Sequence, residues 1–590
     1  MWKVLLSVLI LFVVGRIVLF FLNNFEPKEK FSYIEVMLYS FSLGYAILTI
    51  IGVTLAQFGL LTPTINYLII IIILVLAIVF WIYKQREENL NQIKNLIWED
   101  PPKQEQNNSK SVKEALSSIR FVHIILLLIF VVGLILRLET QLTVPWLGDN
   151  DPYYHLSFID SIVVQGTLPS QTFWGFYSYP PSFHVVFATL ISTTQVDRYL
   201  LLKTVPEFLG FLCVPVAYAL IKRKYGEWPG IASAAFLAIC SFHIYRTNIA
   251  IPEPIALLGM LMFFHAMTNQ KGIKKYLLAG FFASMVFLTN VIGILYFLPC
   301  VVAIFLASII LRKWNDAFGY LKATVVGIVF SGVFWLPTLY RLGLSGIFEG
   351  LGPAYYQTSG VFSFNSYTYF SWIGWGACIL GLVGFYVCLR DFKNSLVLLI
   401  PTAFFLFLIE AANNGYLFFE AHLLFRSLLF LGTWTSLLAG VGFGRIMQTK
   451  RKKIAVSALA VIVVLTMVSF PVLSRARYPV NWGYENVDFV YRSYLENYAD
   501  IFKDDNYMIY SKNLEFNYGA FDNVILNRQA PQIGEALLRN DTSALITLIN
   551  EHNIRYMIFQ NGTKEAEFLV QSNLATTYYE NWHTVVLAVE

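Results

Sequence analysis

Ile124-Ile125-Leu126-Leu127-Leu128-Ile129-Phe130-Val131-Val132-Gly133-Leu134-Ile135-Leu136 carries no charge, and its only weak point as a helix is one glycine. Extended to 121–138, the run is long enough to cross a bilayer core, which takes about 20 apolar residues as a helix. Similar runs recur near 2–22, 33–57, 65–83, 204–221, 229–243, 253–269, 276–293, 297–311, 322–340, 369–388, 395–411, 424–443 and 454–473. Of the 590 residues, 57% are hydrophobic and 13% charged. An ordinary soluble domain carries about 25% charged residues. The chain therefore reads as an all-α polytopic membrane protein with about fourteen spans. The run from Trp2 to Leu22 lacks a small-residue cleavage site and reads as a retained helix rather than a signal peptide.

Basic residues set the sidedness. Lys222-Arg223-Lys224, Lys271 with Lys274-Lys275, Arg312-Lys313 and Lys450-Arg451-Lys452-Lys453 follow alternate helices. All fall on one side, which the positive-inside rule assigns to the cytoplasm. The net charge of +5 is accounted for by such clusters, so it is no argument for nucleic acid. Residues 84–120, polar and containing Pro101-Pro102, read as a cytoplasmic linker on that side. The other side receives 139–203, 244–252, 341–368, 412–423 and everything after 474. Counting 180–197 as a span would invert Lys222-Arg223-Lys224. It is expected instead to lie in the membrane interface or to fold back into the outer face.

This divides the chain into an N-terminal three-helix region (1–83), the linker, a transmembrane core (121–474, with first outer loop 139–203) and an extracytoplasmic α/β domain (475–590). Strand-like runs in the last lie at 507–510, 555–559 and 584–589, with a helix over 533–552. That domain holds no nucleophile motif, phosphate loop or metal cluster. Asn540-Asp541-Thr542 and Asn561-Gly562-Thr563 fit the glycosylation-acceptor pattern. Cys213, Cys240, Cys300, Cys378 and Cys388 lie in or beside apolar runs without CxxC spacing and read as small buried side chains.

Acidic groups beside a membrane ask for a reason. Asp149-Asn150-Asp151-Pro152-Tyr153-Tyr154-His155 offers two carboxylates one residue apart. Such a pair can share a divalent cation, can supply a general base, or can simply be a solvated turn. The aromatic run 173–179 is either an interfacial belt or a stacking wall for a sugar. Glu253, between Pro252 and Pro254, stands at a helix start, where the dipole favours an anion, and Arg246 precedes it by seven residues. Glu349 is the acid of the outer loop 341–368. In Glu420-Ala421-His422-Leu423-Leu424-Phe425-Arg426, the arginine lies inside an apolar run and wants an anion. A phosphate fits its forked donors, and Glu420 or Glu410 would serve as internal partners.

In this order and sidedness, Gly148–Leu156, Tyr179-Pro180-Pro181-Ser182-Phe183-His184, Arg246-Thr247 with Glu253, and Arg426 resemble the GT-C superfamily of membrane glycosyltransferases, over about 121–475. Within it the chain is similar to the oligosaccharyltransferase catalytic subunit and its archaeal and bacterial relatives. The resemblance implies a polyprenyl-phosphate-linked sugar as donor and a glycan, lipid or protein as acceptor. It implies that Asp151, supported by Asp149, is the first-loop acid, acting as base or, with Glu253, as ligand to Mg or Mn. It implies a substrate-binding set of His155, Arg246, Glu253, Glu349, His422 and Arg426, the last meeting the lipid phosphate. A multi-pass plasma-membrane protein with an extracytoplasmic site follows. Two departures point to transfer of a single sugar rather than to an oligosaccharyltransferase. Ile255 stands where the second acidic motif has another acid, and the Trp-Trp-Asp-Tyr-Gly acceptor motif is missing, with Asn481-Trp482-Gly483-Tyr484 the nearest string. A transporter or flippase would place polar groups at the membrane midplane, not at outer loops.

Overall fold

The computed structural model describes residues 1–24, 31–75, 78–79, 82, 121–143, 147, 150–172, 175–176, 179–350, 366–413, 421–447, 490–503, 506–512, 523–527 and 529–589. The predicted linker 84–120, the span 454–473 and the string 481–484 lie outside them. A helix stands at every other predicted span, the third being described over Pro63–Val75. Among the described residues, eight helices are long and apolar enough to cross a membrane, or nine if one bent pair is a single span.

Local chemistry explains where the boundaries differ from the hydropathy reading. The predicted spans 276–293 and 297–311 are Gly272–Thr289 and Val291–Ile310. Asn290 separates them, its Oδ1 accepting from Ile292 N and Gly293 N, so an N-cap starts the second helix inside an apolar run. The predicted span 229–243 is the bent pair, Glu227–Ile239 followed by Ser241–Thr247 at 62°. Such a break leaves carbonyls unpaired. Arg137, fully buried near the end of the Phe121–Thr143 helix, reaches two of them, Ala238 O at 3.1 Å and Leu237 O at 3.4 Å. Its guanidinium also meets His243 Nδ1 at 2.9 Å on the far side of the bend. The expected outer loop 341–368 begins as helix: Trp314–Gly350 runs on past a left-handed break at Gly343 (φ 66°).

Segment 180–197 contains a helix, Ser182–Thr194, and every residue of it is buried. It packs against the acidic helix (Asn150–Gln165) and against Tyr33–Gln57. Thr49 and Ser182 share a 2.6 Å hydrogen bond there. The expected membrane-interface face is absent because protein covers it on all sides. The fold-back alternative fits what is seen. Trp2–Asn24 and Tyr33–Gln57 form a tight hairpin, in which a Cβ on Gly44 would lie 1.8 Å from Leu11 O. Only glycine permits that backbone approach, a recurrent device between membrane helices. The hairpin is joined to the core by Tyr39 Oη, 2.9 Å from His265 Nδ1.

A short hairpin, β1 (Gln171–Thr172) and β2 (Gly175–Phe176), lies in the first outer loop. The C-terminal part is a five-stranded mixed sheet of β3 (Met508–Ser511), β4 (Val524–Leu526), β5 (Ile554–Gln560), β6 (Ala575–Glu580) and β7 (Thr584–Val589), ordered β4-β3-β5-β7-β6. β3 runs parallel to both neighbours, and the β5–β7 and β7–β6 pairs are antiparallel. The helix expected over 533–552 is two, Pro531–Arg539 and Thr542–Glu551. Asn540 turns left-handed (φ 55°), and Asp541 caps the second helix through Ala544 N. Met557 and Phe559 face these helices, whereas Ile558 joins the main core with Val586, Tyr494 and Phe502. That alternation is the two-residue period of a strand buried on both faces.

Asp160 ties this domain to the membrane body. Its carboxylate is fully buried, pairs with Arg198 and accepts a 2.8 Å hydrogen bond from Tyr491 Oη. Removing one partner of a buried ion pair costs about 3–5 kcal/mol, against about 1 kcal/mol for an ordinary hydrogen bond. Thermal unfolding of the detergent-solubilised protein should therefore show Asp160→Ala well below Tyr491→Phe in melting temperature. Equal shifts would mean that the ion pair contributes nothing.

Candidate active site

Three helix starts converge on one charged cluster. The acidic helix begins at Asn150, with Pro152 in its first turn, where a missing N–H costs nothing. Asp151 in that turn is favoured by the helix dipole. Four residues on, on the same face, stands His155. The second helix, Glu253–Asn269, starts with Glu253-Pro254 after Pro252. The third, Ala421–Met447, carries Arg426 in its second turn.

Glu253 is 1% exposed and bound to Arg246, whose Nη2 donates to Oε2 at 2.7 Å. Arg246 is thus a buried ion-pair partner. Arg426 Nε lies 3.8 Å from the same Glu253 oxygen, and its Nη2 lies 3.9 Å from Asp151 Oδ2. These are charge contacts rather than hydrogen bonds. The order of groups is Asp151, Arg426, Glu253, Arg246, alternating in sign. Exposure falls along it: the Asp151 side chain is 51% exposed and Arg426 24%. One end of the cluster is therefore open and the other sealed. Two buried atoms in it, Glu253 Oε1 and Arg246 Nε, have no hydrogen-bond partner among the described residues. An acceptor and a donor are thereby left for a ligand.

His155 is buried, with Nδ1 2.9 Å from His184 Nε2. Tyr179 and Phe183 pack on it, their ring centroids 5.9 and 5.3 Å away. Tyr179 Oη accepts from Asn290 Nδ2 at 2.9 Å, which links this layer to the next helix pair. Burial lowers the His155 imidazole from 6.5 to about 4; Asp151 opposes the shift, and Arg426 and Arg246 reinforce it. The ring is therefore neutral near pH 7 and lends the cluster no positive charge.

Of the residues singled out in the sequence, Asp151, His155, Arg246, Glu253 and Arg426 come together. Asp149 lies outside the described residues, as do the side chains of Glu349 and His422, whose backbones are helical. Glu420 is outside as well. Sequence reasoning assigned no role to His184, although it stands in the quoted Pro180-Pro181-Ser182-Phe183-His184. It also passed over Arg137, an ionisable residue at the end of an apolar run, the kind of signal that marks a functional or structural site. Among the described residues, no three His, Cys, Asp or Glu side chains converge as a metal-binding group. Asp151 and Glu253 instead face a guanidinium.

The depressed His155 value has a consequence for stability. The unfolded chain binds the proton more tightly, so stability is present above pH 6.5 and is lost as the pH falls toward about 4. His155→Gln should flatten the melting-temperature profile between those pH values. A profile as steep as the parent's would place the titration elsewhere.

Residues 176–335 match the family described as dolichyl-phosphate-mannose-protein mannosyltransferase. A comparison with curated proteins found no match. The Archaeoglobus fulgidus oligosaccharyltransferase in its apo form is similar, with a TM-score of 0.51 at 12% identity, over 76% of this chain and 70% of that one. The same organism's oligosaccharyltransferase AglB, in complex with an inhibitory peptide and a dolichol-phosphate, gives 0.50 at 11% identity, over 74% and 69%. ArnT from Cupriavidus metallidurans, bound to undecaprenyl phosphate, gives 0.46 at 14% identity, over 79% and 97%. The chain therefore has the fold of the Archaeoglobus fulgidus oligosaccharyltransferase.

Proposed function

We propose that this chain is a glycosyltransferase that takes a sugar from a polyprenyl-phosphate-linked donor and passes it to an acceptor hydroxyl on the extracytoplasmic face. The observation that carries this reading is Arg426, held between the exposed carboxylate of Asp151 and the sealed pair Glu253–Arg246. Asp151 accepts the proton of the acceptor hydroxyl. The acceptor oxygen then bonds to the anomeric carbon, and the bond from that carbon to the phosphate oxygen breaks. The electron pair leaves with the lipid phosphate. Arg426 meets that growing negative charge, which a preorganised cation stabilises most where water is excluded. Glu253 keeps Arg426 in place, and Arg246 pairs with the buried Glu253. Attack opposite the leaving group inverts the anomeric centre.

The dolichol-phosphate in the archaeal AglB complex supports a lipid-phosphate donor. An oligosaccharyltransferase reading is the second choice, supported by the peptide in the same complex. Ile255 in place of a second acid, and the missing acceptor motif, favour transfer of a single sugar. The extracytoplasmic placement rests on the basic clusters, which gather at the helix ends opposite Asp151 and Glu253.

Asp151→Asn should reduce transfer from a polyprenyl-linked donor by about 10²–10⁴-fold, the usual contribution of a positioned base, with the protein still in the membrane. Unchanged turnover in reconstituted vesicles would sink the assignment. Arg426→Lys should also impair transfer, because a point charge does not replace the planar fork. Transfer that persists in excess chelator supports Arg426 as the cation of the site. Loss restored by Mg or Mn would instead give Asp151 and Glu253 a bound divalent ion.

A further inference from the structure

A concentration of positive charge lies at the opposite helix ends from Asp151 and Glu253. Glu253 begins its helix, and Asn269 ends it about 24 Å away at 1.5 Å per residue. There a cavity of about 480 Å³ opens between the helix ends, lined by Arg223, Lys224, Lys275, Lys313 and Lys393. The one acid lining it is Asp316, which interacts with Lys275. Lys224 is offset by Asp391 at 3.0 Å. Arg223 donates to Asn269 O at 2.5 Å and so closes the end of the Glu253 helix. Lys275 is partly offset by Asp316, so the remaining positive charge comes chiefly from Lys313 and Lys393, at two further inter-helix junctions.

Two features separate this cavity from an ordinary set of cytoplasmic-side lysines. Asn269 lines the cavity and is buried, and its Nδ2 has no hydrogen-bond partner among the described residues. An anion with several acceptor oxygens would satisfy it. The cavity also has an apolar wall, formed by Ile304, Tyr320 and Leu396. Beside it Ile310, Trp314 and Phe318 are exposed on the outside of the bundle, where acyl chains would lie. A polar, cationic floor continuous with a lipid-facing apolar surface suits a molecule with a phosphate head and a hydrocarbon tail. Basic recesses between transmembrane helices on the cytoplasmic side recognise anionic head groups in this way.

The geometry points to a binding site for the phosphate head group of an anionic phospholipid of the inner leaflet, held by Lys275, Lys313, Lys393 and Asn269. It is separate from the sugar-transfer site and requires none of its residues. Occupancy would bridge the Arg223–Lys275 and Lys313–Lys393 ends of the bundle and lock their spacing.

The full chain in detergent can be mixed with phosphatidylglycerol or phosphatidylcholine and retained lipid counted by native mass spectrometry. The expected result is retention of phosphatidylglycerol alone, with Lys275→Gln/Lys393→Gln weakening it roughly thirtyfold at low salt. Asn269→Ala should weaken it several-fold while leaving the two lysines in place. The charge-matched control Lys271→Gln/Lys322→Gln, exposed on the same face but outside the cavity, should retain lipid like the parent. Equal retention of the neutral lipid, or equal losses in the control, would overturn the site. Inorganic phosphate that competes at the same concentration as the lipid would overturn the lipid source and leave a free-phosphate site.

Discussion

Four charged side chains set in alternating sign are the constraint around which one end of the helix bundle is arranged. Asp151, Arg426, Glu253 and Arg246 come from three helices and one short helical turn. Two unit charges 4 Å apart interact by about 4 kcal/mol at the effective dielectric of a partly buried site, and by about 1 kcal/mol in water. Each group is therefore worth having only where the others are. A helix shifted by one turn would leave Glu253 buried and unpaired, which is among the costliest local errors a fold can make. The graded exposure from Asp151 inward makes one carboxylate reachable while the other stays fixed.

The surrounding structure holds those helix starts in register. Arg137 takes the carbonyls released at the bend after Ile239 and meets His243 beyond it, so the turn carrying Arg246 leaves the bend in one direction. The His155–His184 bond joins the acidic helix to the buried Ser182–Thr194 helix. The latter rests on the first hairpin through Thr49. The Trp2–Asn24 and Tyr33–Gln57 helices, which carry no site residue, thus support the Ser182–Thr194 helix on which the acidic helix lies. Asp160, on that helix, receives Tyr491 from the C-terminal part. The small sheet domain is anchored close to the chemistry without supplying a group to it among the described residues.

The two ends of the bundle have opposite electrostatic characters. At one end, positive and negative side chains are matched, and the excess is small until a substrate arrives. At the other, cations outnumber acids around an apolar-walled recess. The basic clusters that orient a membrane protein during insertion need only be on one side. Here helix packing also brings them into one cavity, with an unpaired amide inside it. That placement is a property of the folded bundle, since Arg223, Lys275, Lys313 and Lys393 lie at four separate places along the chain.

Much of the architecture is legible in the sequence, because a bilayer imposes a single rule on a helix: about 20 apolar residues or no span. That rule located the helices. Motif order then singled out Asp151, Arg246, Glu253 and Arg426. Hydropathy could not see the breaks at Asn290, Cys240, Gly343 and Asn540, since each is made by a cap, a backbone turn or a distant side chain rather than by loss of apolar character. Nor could it tell a helix covered by lipid from one covered by protein, which is why Ser182–Thr194 was expected at an interface. Arg426 carried open alternatives in the sequence, a phosphate or an internal acid, because an arginine's partner is chosen by distance. Tertiary structure brings two other acids, Asp151 and Glu253, to within 4 Å of it, across more than 150 residues of chain. Composition and period thus determined where the long apolar helices lie. Only the packed bundle decided which charges meet, because electrostatic pairing depends on separation in space and not on separation in sequence.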